Sequence, residues 1–265
     1  MITDVAFSTV PCWYGATRRD LKMDLIVPKA VQGHKPCPCV VWICGGAFMV
    51  VNRSVWMPEM LRFARKGYVV ASIAYRTSNE APFPAQLIDY KSAIRYLRAH
   101  AAEFCIDPDR IFAMGESAGG TMACLLGSTA GCGEFDQGDW LQESSAVQGV
   151  VDFYGVTKIE PLPHITGGAV PYYAFDAFIA EDFTPEMGRK ASAMEYVSEK
   201  TAPTLILHGT LDPLVPMEQS RQFYARLQQY GVRTDLLILE GATHGDDLFY
   251  QDEIIERILD FLESV

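Results

Sequence analysis

The sequence lacks any apolar run long enough to form a transmembrane helix, since no stretch approaches the ~18 residues that such a helix needs. It also lacks the pattern of a signal peptide, because residues 1–7 contain no basic segment followed by an apolar one. We therefore expect a protein without a membrane segment, located in the cytoplasm.

Positive charge is scarce. The chain has 22 Lys and Arg residues against 33 Asp and Glu residues, a net charge of −11. The longest basic clusters are the pair Arg18–Arg19 and the group Arg62, Arg65 and Lys66, which are too short to form a binding stripe. Because phosphate binding depends on clustered Lys and Arg, we expect no nucleic acid partner.

The cysteines do not form a disulfide or zinc pattern. There are seven, an odd number in a chain of this size, which favours reduced thiols over a disulfide framework. Cys37 and Cys39 are separated by one residue, not two, and no histidine pair has zinc spacing. The sequence therefore predicts no metal site and no cofactor.

Length and patterning indicate one α/β domain spanning residues 1–265. Hydrophobic residues make up 49% of the chain, enough for a packed core, and short apolar runs alternate with longer amphipathic ones. This alternation predicts a mostly parallel central sheet with helices on both faces. Strands are expected at residues 21–27, 38–43, 68–75, 111–114, 147–153, 204–207 and 236–239. Helices are expected at residues 84–101, 117–127, 217–230 and 252–264.

Residues 156–200 interrupt this alternation. The segment is rich in proline and glycine and carries an aromatic run at residues 172–178. It is long for a connection between two strands. We interpret it as an irregular insertion, and the sequence leaves open whether it is a partial lid or an ordinary packed segment.

A nucleophile motif occupies residues 115–119, which read Gly-Glu-Ser-Ala-Gly. A predicted strand precedes it and a predicted helix follows, the context in which Gly-x-Ser-x-Gly forms a nucleophile turn. The helix N-terminus offers N–H groups and positive dipole character to an oxyanion. The motif predicts Ser117 as the nucleophile of acyl transfer. The alternative is a plain turn with a capping serine.

A serine nucleophile needs a base that is held by an acid, and both should follow it in the chain. His244 lies in a glycine-flanked loop after the last predicted strand and is the expected base. His208 ends an earlier strand, where a structural role is expected. Asp212 follows that strand and is the expected acid, with N-capping or turn formation as the alternative. The competing acids are Asp235, Glu240, Asp246 and Asp247.

The tetrahedral intermediate of acyl transfer requires backbone N–H donors. The first expected donor is Ala118, directly after the nucleophile. The second group should come from the loop after the strand at residues 38–43, where two glycines allow close approach of the backbone. Gly46 and Ala47 are the candidate donors there, and Gly45 is expected to shape the turn.

Taken together, these motifs resemble the α/β-hydrolase esterases related to hormone-sensitive lipase, most closely the smaller bifunctional feruloyl and acetyl-xylan esterase-like group. The resemblance runs over nearly the whole chain and is weakest in residues 156–200. The matching segments include residues 69–76, 83–86, 106–111, 115–120, 151–155 and 208–216. The family's Ser, Asp and His fall on Ser117, Asp212 and His244. One departure is Cys44, which stands where the family's His-Gly-Gly-Gly motif has the histidine that braces the oxyanion loop.

The resemblance implies an α/β-hydrolase fold, and because the insertion at residues 156–200 is short we expect no large cap domain of the kind found in true lipases. It also implies hydrolysis of esters with small acyl groups such as acetyl, or with aromatic acyl groups, on carbohydrates or other alcohols. The expected partner is therefore a small-molecule or carbohydrate ester, and a homo-oligomer is among the states that the sequence allows. The candidate substrate-binding residues, for which core packing is the alternative, are Phe48, Tyr172, Tyr173 and Phe175.

Two other functions stay open at this point. An amidase or peptidase would use the same triad, and only its leaving group would differ. A non-catalytic binding protein on the same fold is favoured by Cys44 but disfavoured by the presence of all three triad residues.

Overall fold

A computed structural model describes residues 1–29, 35–159 and 184–265. Within these ranges eight strands form one sheet in the order β1-β2-β4-β3-β5-β6-β7-β8. Strand β1 pairs antiparallel with β2, and β2 pairs antiparallel with β4. The remaining neighbours are parallel. The strands are β1 Ile2–Cys12, β2 Thr17–Ile26, β3 Cys37–Ile43, β4 Val69–Ile73, β5 Ile106–Glu116, β6 Gly149–Phe153, β7 Thr204–Gly209 and β8 Thr234–Leu239.

Helices follow most of the parallel strands. Two short 3₁₀ turns at Ala193–Tyr196 and Asp247–Tyr250 complete the described secondary structure. The α-helices are α1 Met57–Arg65, α2 Ala85–Ala99, α3 Ala101–Phe104, α4 Ala118–Ser128, α5 Pro185–Lys190, α6 Glu218–Gln229 and α7 Asp252–Glu263.

The sheet separates two hydrophobic cores. Side chains alternate along each strand, so in β5 Ile111 and Ala113 enter one core while Phe112 and Met114 enter the other. Helices α2, α4 and α6 cover the first face, and α1 and α7 cover the second. Because both faces are buried, the central strands read as continuous apolar runs, which is why the sequence revealed them. The predicted mostly parallel sheet with helices on both faces is confirmed.

Three differences from the predicted elements have physical reasons. Strand β1 was not predicted, because it lies at the sheet edge and its first residues are largely exposed. Helix α1 was also missed, because it is short and buries only Met60, Phe63 and Ala64. Strand β5 begins earlier than predicted, at Ile106. Its pairing with β3 shifts register between Cys37, which pairs with Ile106, and Cys39, which pairs with Ile111, so residues 107–110 form an irregularity within the strand.

The described flanks of the 156–200 insertion are tied to each other. The N–H of Ile159 donates to Ser192 Oγ at 2.7 Å, and Ser192 Oγ donates to the carbonyl of Gly188 at 2.7 Å. The N–H of Met194 donates to the carbonyl of Thr157 at 3.1 Å. The candidate residues Tyr172, Tyr173 and Phe175 lie outside the described residues, so their role and the lid stay predictions.

In the described part of the chain, no helix is both long and apolar enough to pass through a lipid bilayer. Nor do the described residues bring three or more His, Cys, Asp or Glu side chains together as a metal site. All seven cysteines lie within the described ranges, and each is a free thiol.

A buried ion pair, Arg76–Asp89, connects β4, α2 and β1 at the edge of the sheet where the parallel strands end. The guanidinium of Arg76, just after β4, donates from Nη2 to Asp89 Oδ1 of α2 at 2.6 Å and from Nε to both carboxylate oxygens. It also donates to the carbonyls of Pro11 in β1 and Ala85 in α2. Burial raises the pKa of Asp89, and the hydrogen bonds from Arg76 act in the opposite direction.

We expect Asp89→Ala to lower the free energy of unfolding by about 3–5 kcal/mol, because it leaves the Arg76 guanidinium buried without its counterion. Lys66→Ala is the control, since the Lys66–Glu256 pair is exposed and its loss should leave the midpoint unchanged. Urea unfolding of both variants measures the difference. Equal midpoints for the two would show that the buried pair does not stabilise this edge.

Candidate active site

Ser117 lies in a tight turn between β5 and α4. Its backbone has φ 55° and ψ −120°, a conformation that is strained for a residue with a side chain. The flanking glycines are sterically required. A β-carbon at Gly115 would lie 2.4 Å from the carbonyl oxygen of Gly119, and one at Gly119 would lie 2.0 Å from that of Ile43. The turn therefore forms only with glycine on both sides of Ser117.

The structure brings Ser117, His244 and Asp212 together. His244 Nε2 lies 2.9 Å from Ser117 Oγ, and His244 Nδ1 lies 2.8 Å from Asp212 Oδ2. The Asp212 side chain is 1% exposed and that of His244 is 13% exposed, so the chain of hydrogen bonds is largely shielded from water. This arrangement can move a proton from the hydroxyl to the imidazole.

The environment of Asp212 fixes which ring nitrogen of His244 faces it with a proton. Burial acts to raise the pKa of Asp212, but hydrogen bonds from His244 and from the N–H groups of Val215 and Leu214 outweigh burial, and the pKa falls below its usual range. An ionised carboxylate can only accept hydrogen bonds, so Nδ1 of His244 must carry the proton between them. The other nitrogen, Nε2, is then free to accept the hydroxyl proton of Ser117.

The loops that carry Asp212 and His244 are joined to each other. The N–H of Leu211 donates to the carbonyl of Ala242 at 3.0 Å, and the N–H of Gly241 donates to Thr210 Oγ1 at 2.9 Å. A β-carbon at Gly209 would lie 2.2 Å from the oxygen of Ala242. The ends of β7 and β8 therefore hold the acid and the base in contact.

Among the competing acids, Asp246 has a different place in the loop. Its Oδ2 accepts from both the N–H and the hydroxyl of Thr243, and its Oδ1 accepts from the N–H of Leu248. It thus shapes the backbone around His244 without contacting the imidazole. The others, Asp235, Glu240 and Asp247, are exposed.

His208 is fully buried beside the acid. Its Nε2 donates to the carbonyl of Val215 at 2.9 Å, and its Nδ1 lies 2.7 Å from Ser220 Oγ. Burial lowers the pKa of His208, which favours the neutral ring in this position. His208 therefore connects the Asp212 loop to α6, in agreement with the structural role expected from the sequence.

The candidate oxyanion loop, residues 44–48, has an unusual backbone. Gly46, Ala47 and Phe48 have φ values of 129°, 52° and 62°, in succession. A β-carbon at residue 46 would lie 2.3 Å from the carbonyl oxygen of Val50, so glycine is needed there. Within the described residues, the N–H groups of Gly46, Ala47 and Ala118 have no hydrogen-bond acceptor, so all three candidate donors are available to a ligand.

Cys44 is a buried neutral thiol. Its Sγ donates to the carbonyl of Asn52 at 3.1 Å and lies 3.9 Å from Ser72 Oγ. Burial raises the pKa of Cys44 to about 12, so almost no thiolate is present at neutral pH. Cys44 thus packs beneath the loop and does not have the properties of a nucleophile.

Two residues at the site were missed by sequence reasoning. Glu116 Oε1 accepts the N–H of Gly45 at 2.5 Å; the sequence shows an acidic residue within the nucleophile motif but does not indicate its partner. Tyr154, with φ 45°, packs its ring 4.5 Å from that of His244, centroid to centroid. The sequence contains no signal for this second contact, because Tyr154 simply follows an apolar strand.

The predicted substrate-binding residue Phe48 is 2% exposed and belongs to the first core. Its carbonyl accepts from the N–H and the hydroxyl of Ser78, at 2.8 and 3.1 Å. These bonds position the backbone of the loop. A contact of the Phe48 ring with substrate stays a prediction.

Comparison with known proteins places this geometry in a family. Esterase LipQ of Mycobacterium tuberculosis is 29% identical over 94% of this chain, and the chain spans 60% of LipQ. A truncated carbohydrate esterase from gut microbiota has a TM-score of 0.85 at 25% identity, covering 99% of this chain and 94% of that one. The acetyl ester-xyloside bifunctional hydrolase of Caldicellulosiruptor lactoaceticus has a TM-score of 0.79 at 25% identity, with coverage of 98% and 96%.

The similarity confirms the α/β-hydrolase fold and the esterase resemblance that the motifs indicated. The family model described as BD-FAE matches residues 23–227, most of the chain and all of the predicted site except His244. This protein therefore belongs to the BD-FAE family.

Proposed function

We propose that this protein is a serine carboxylesterase that hydrolyses acetyl or other short-acyl esters, or aromatic-acyl esters, carried by carbohydrates. The observation that supports it most is the continuous hydrogen-bonded chain from Ser117 Oγ through the imidazole of His244 to the carboxylate of Asp212, at 2.9 and 2.8 Å. This geometry supports a proton relay for acyl transfer.

In the proposed reaction, Ser117 Oγ attacks the ester carbonyl carbon while its proton moves to His244 Nε2. The negative charge that develops on the carbonyl oxygen is stabilised by the N–H groups of Gly46, Ala47 and Ala118. The C–O bond of the alcohol then breaks and the imidazolium returns the proton to the departing oxygen, leaving an acyl group on Ser117. Water, activated by the same imidazole, releases the acid and restores the serine.

The neighbours support the substrate class. One solved structure with the same fold is described as a carbohydrate esterase and another as an acetyl ester-xyloside hydrolase. We infer a small-molecule or carbohydrate ester as the partner of this chain on that basis. The cytoplasmic location, the one-domain organisation and the oligomeric state stay predictions.

Ser117→Ala tests the proposed nucleophile. We expect wild-type protein to hydrolyse p-nitrophenyl acetate and to be labelled by a fluorophosphonate, and the variant to lose labelling and roughly 10⁴-fold or more in kcat. Ser128→Ala, at the other end of α4, is the matched control and should retain both properties. Equal rates for wild type and Ser117→Ala would leave a non-catalytic binding protein as the better interpretation.

Asp212→Asn tests the proposed acid. The amide of asparagine has no negative charge to hold the Nδ1–H group of His244 or to stabilise the imidazolium that forms during the reaction. We therefore expect kcat to fall by about 10³–10⁴-fold. Asp235→Asn is the control, because Asp235 is exposed on β8. Steady-state kinetics on p-nitrophenyl acetate measure both variants. A drop for Asp235→Asn equal to that for Asp212→Asn would contradict the assignment.

A substrate panel separates ester classes and the amidase alternative. We expect kcat/KM to be highest for p-nitrophenyl acetate and butyrate and to fall for the octanoate. Acetylated xylose and methyl ferulate should be hydrolysed. The amide p-nitroacetanilide should react far more slowly than p-nitrophenyl acetate, because its anilide leaving group is much poorer than p-nitrophenolate. Preference for the octanoate would contradict the short-acyl assignment, and comparable anilide turnover would favour an amidase.

A further inference from the structure

The oxyanion loop and the nucleophile turn meet at one carboxyl group. The N–H of Gly45 donates to Glu116 Oε1 at 2.5 Å, and Glu116 directly precedes Ser117. A β-carbon at residue 45 would lie 2.5 Å from the same oxygen, so the approach requires glycine. The contact joins two loops that are 71 residues apart in sequence.

The loop needs such anchors because its backbone is strained. Three successive residues, 46–48, have positive φ, and two of them are not glycine. Conformations of this kind persist only where neighbouring groups hold them. At one end of the strained stretch the Phe48 carbonyl is held by Ser78. At the other end, the backbone N–H of Gly45 is held by Glu116.

The thiol of Cys44 does not replace that bond. Its Sγ donates to the carbonyl of Asn52 at 3.1 Å and lies 3.9 Å from Ser72 Oγ, so both of these partners lie outside the nucleophile turn. Glu116 is therefore the group that carries an acceptor from the nucleophile turn to the loop.

We propose that Glu116 is a positioning residue that holds the Gly45 peptide so that the next two N–H groups, of Gly46 and Ala47, face the carbonyl oxygen of a substrate bound at Ser117. This inference rests on the proposed function, since it assigns those N–H groups to the oxyanion. It also gives the bracing role to Glu116 in a chain that has Cys44 instead of the loop histidine of the esterases it resembles. The property of residue 116 that this role requires is a side-chain oxygen that accepts the N–H of Gly45.

The test compares Glu116→Ala, Glu116→Gln and Gln148→Ala. Gln148 is the matched control, because its side-chain oxygen accepts the N–H of Ile111 in the middle of β5, five residues before Glu116, at 2.9 Å. The measurements are kcat and KM for p-nitrophenyl acetate, the inhibition constant of an aryl trifluoromethyl ketone, and the rate of fluorophosphonate labelling. The ketone adds to Ser117 Oγ and places an oxyanion where the transition state would have one.

We expect Glu116→Ala to lower kcat by about 10- to 100-fold with KM changed by about twofold or less, because a poorly placed donor affects the oxyanion more than the bound ester. Its affinity for the ketone should fall by a similar factor. Glu116→Gln should keep kcat within about threefold of wild type, since the amide oxygen still accepts from Gly45. Gln148→Ala should match wild type.

The outcomes separate this inference from the proposed function. Wild-type protein that neither hydrolyses the ester nor reacts with the fluorophosphonate would overturn the proposed function itself. An active wild type with unchanged kcat and ketone affinity in Glu116→Ala would overturn only the role of Glu116. The role of Glu116 would also be overturned if Glu116→Gln were as impaired as Glu116→Ala. Urea unfolding of both variants tests whether a loss of folding is the cause of any lower activity.

Discussion

The site depends on how closely α4 approaches the end of β3. A β-carbon at Gly119 would lie 2.0 Å from the carbonyl oxygen of Ile43, so the first turn of α4 can pack against β3 only because residue 119 is glycine. Ile43 is the last residue of β3, and the oxyanion loop begins at the next residue. The same contact therefore sets the distance from Ser117 to the candidate donors Gly46 and Ala47. A larger residue at 119 would separate the nucleophile from them even if both loops kept their own shape.

Several strained backbone conformations lie around this contact. Ser117, Ala47, Phe48 and Tyr154 all have positive φ, and each lies in or beside the site. Such conformations cost about 1–3 kcal/mol each and persist only where the surrounding structure determines them. Here the surroundings are two cores on either side of the buried central strands, with the Arg76–Asp89 pair connecting the end of β4 to α2. The rigid sheet thus supports loops that would not hold these shapes alone.

Much of this could be predicted from the sequence, because the informative residues are constrained locally. The central strands are buried on both faces and so are continuous apolar runs, and Ser117 is marked by glycines that the turn requires. His244 and Asp212 follow from chain order and from the expectation that parallel strands end at one edge of the sheet. What could not be predicted are contacts that depend on exact placement across that edge. Neither the bond from Gly45 to Glu116 nor the ring contact between Tyr154 and His244 has a pattern of its own, because each joins segments whose spacing along the chain is arbitrary.

Cys44 shows why a departure from a family pattern must be interpreted with its surroundings. From the sequence alone, replacement of the loop histidine is the strongest reason to consider a binding protein without catalysis. In the structure the thiol is buried and bonded to the carbonyl of Asn52, so the position is filled and its polar atom has a partner. The N–H of the adjacent Gly45 is held by Glu116. A loop that lost its function would have no need of a strained backbone whose two N–H groups, of Gly46 and Ala47, have no acceptor among the described residues and lie beside a complete serine, histidine and aspartate chain. The substitution is therefore better understood as a change in how the loop is supported than as a loss of the chemistry that it serves.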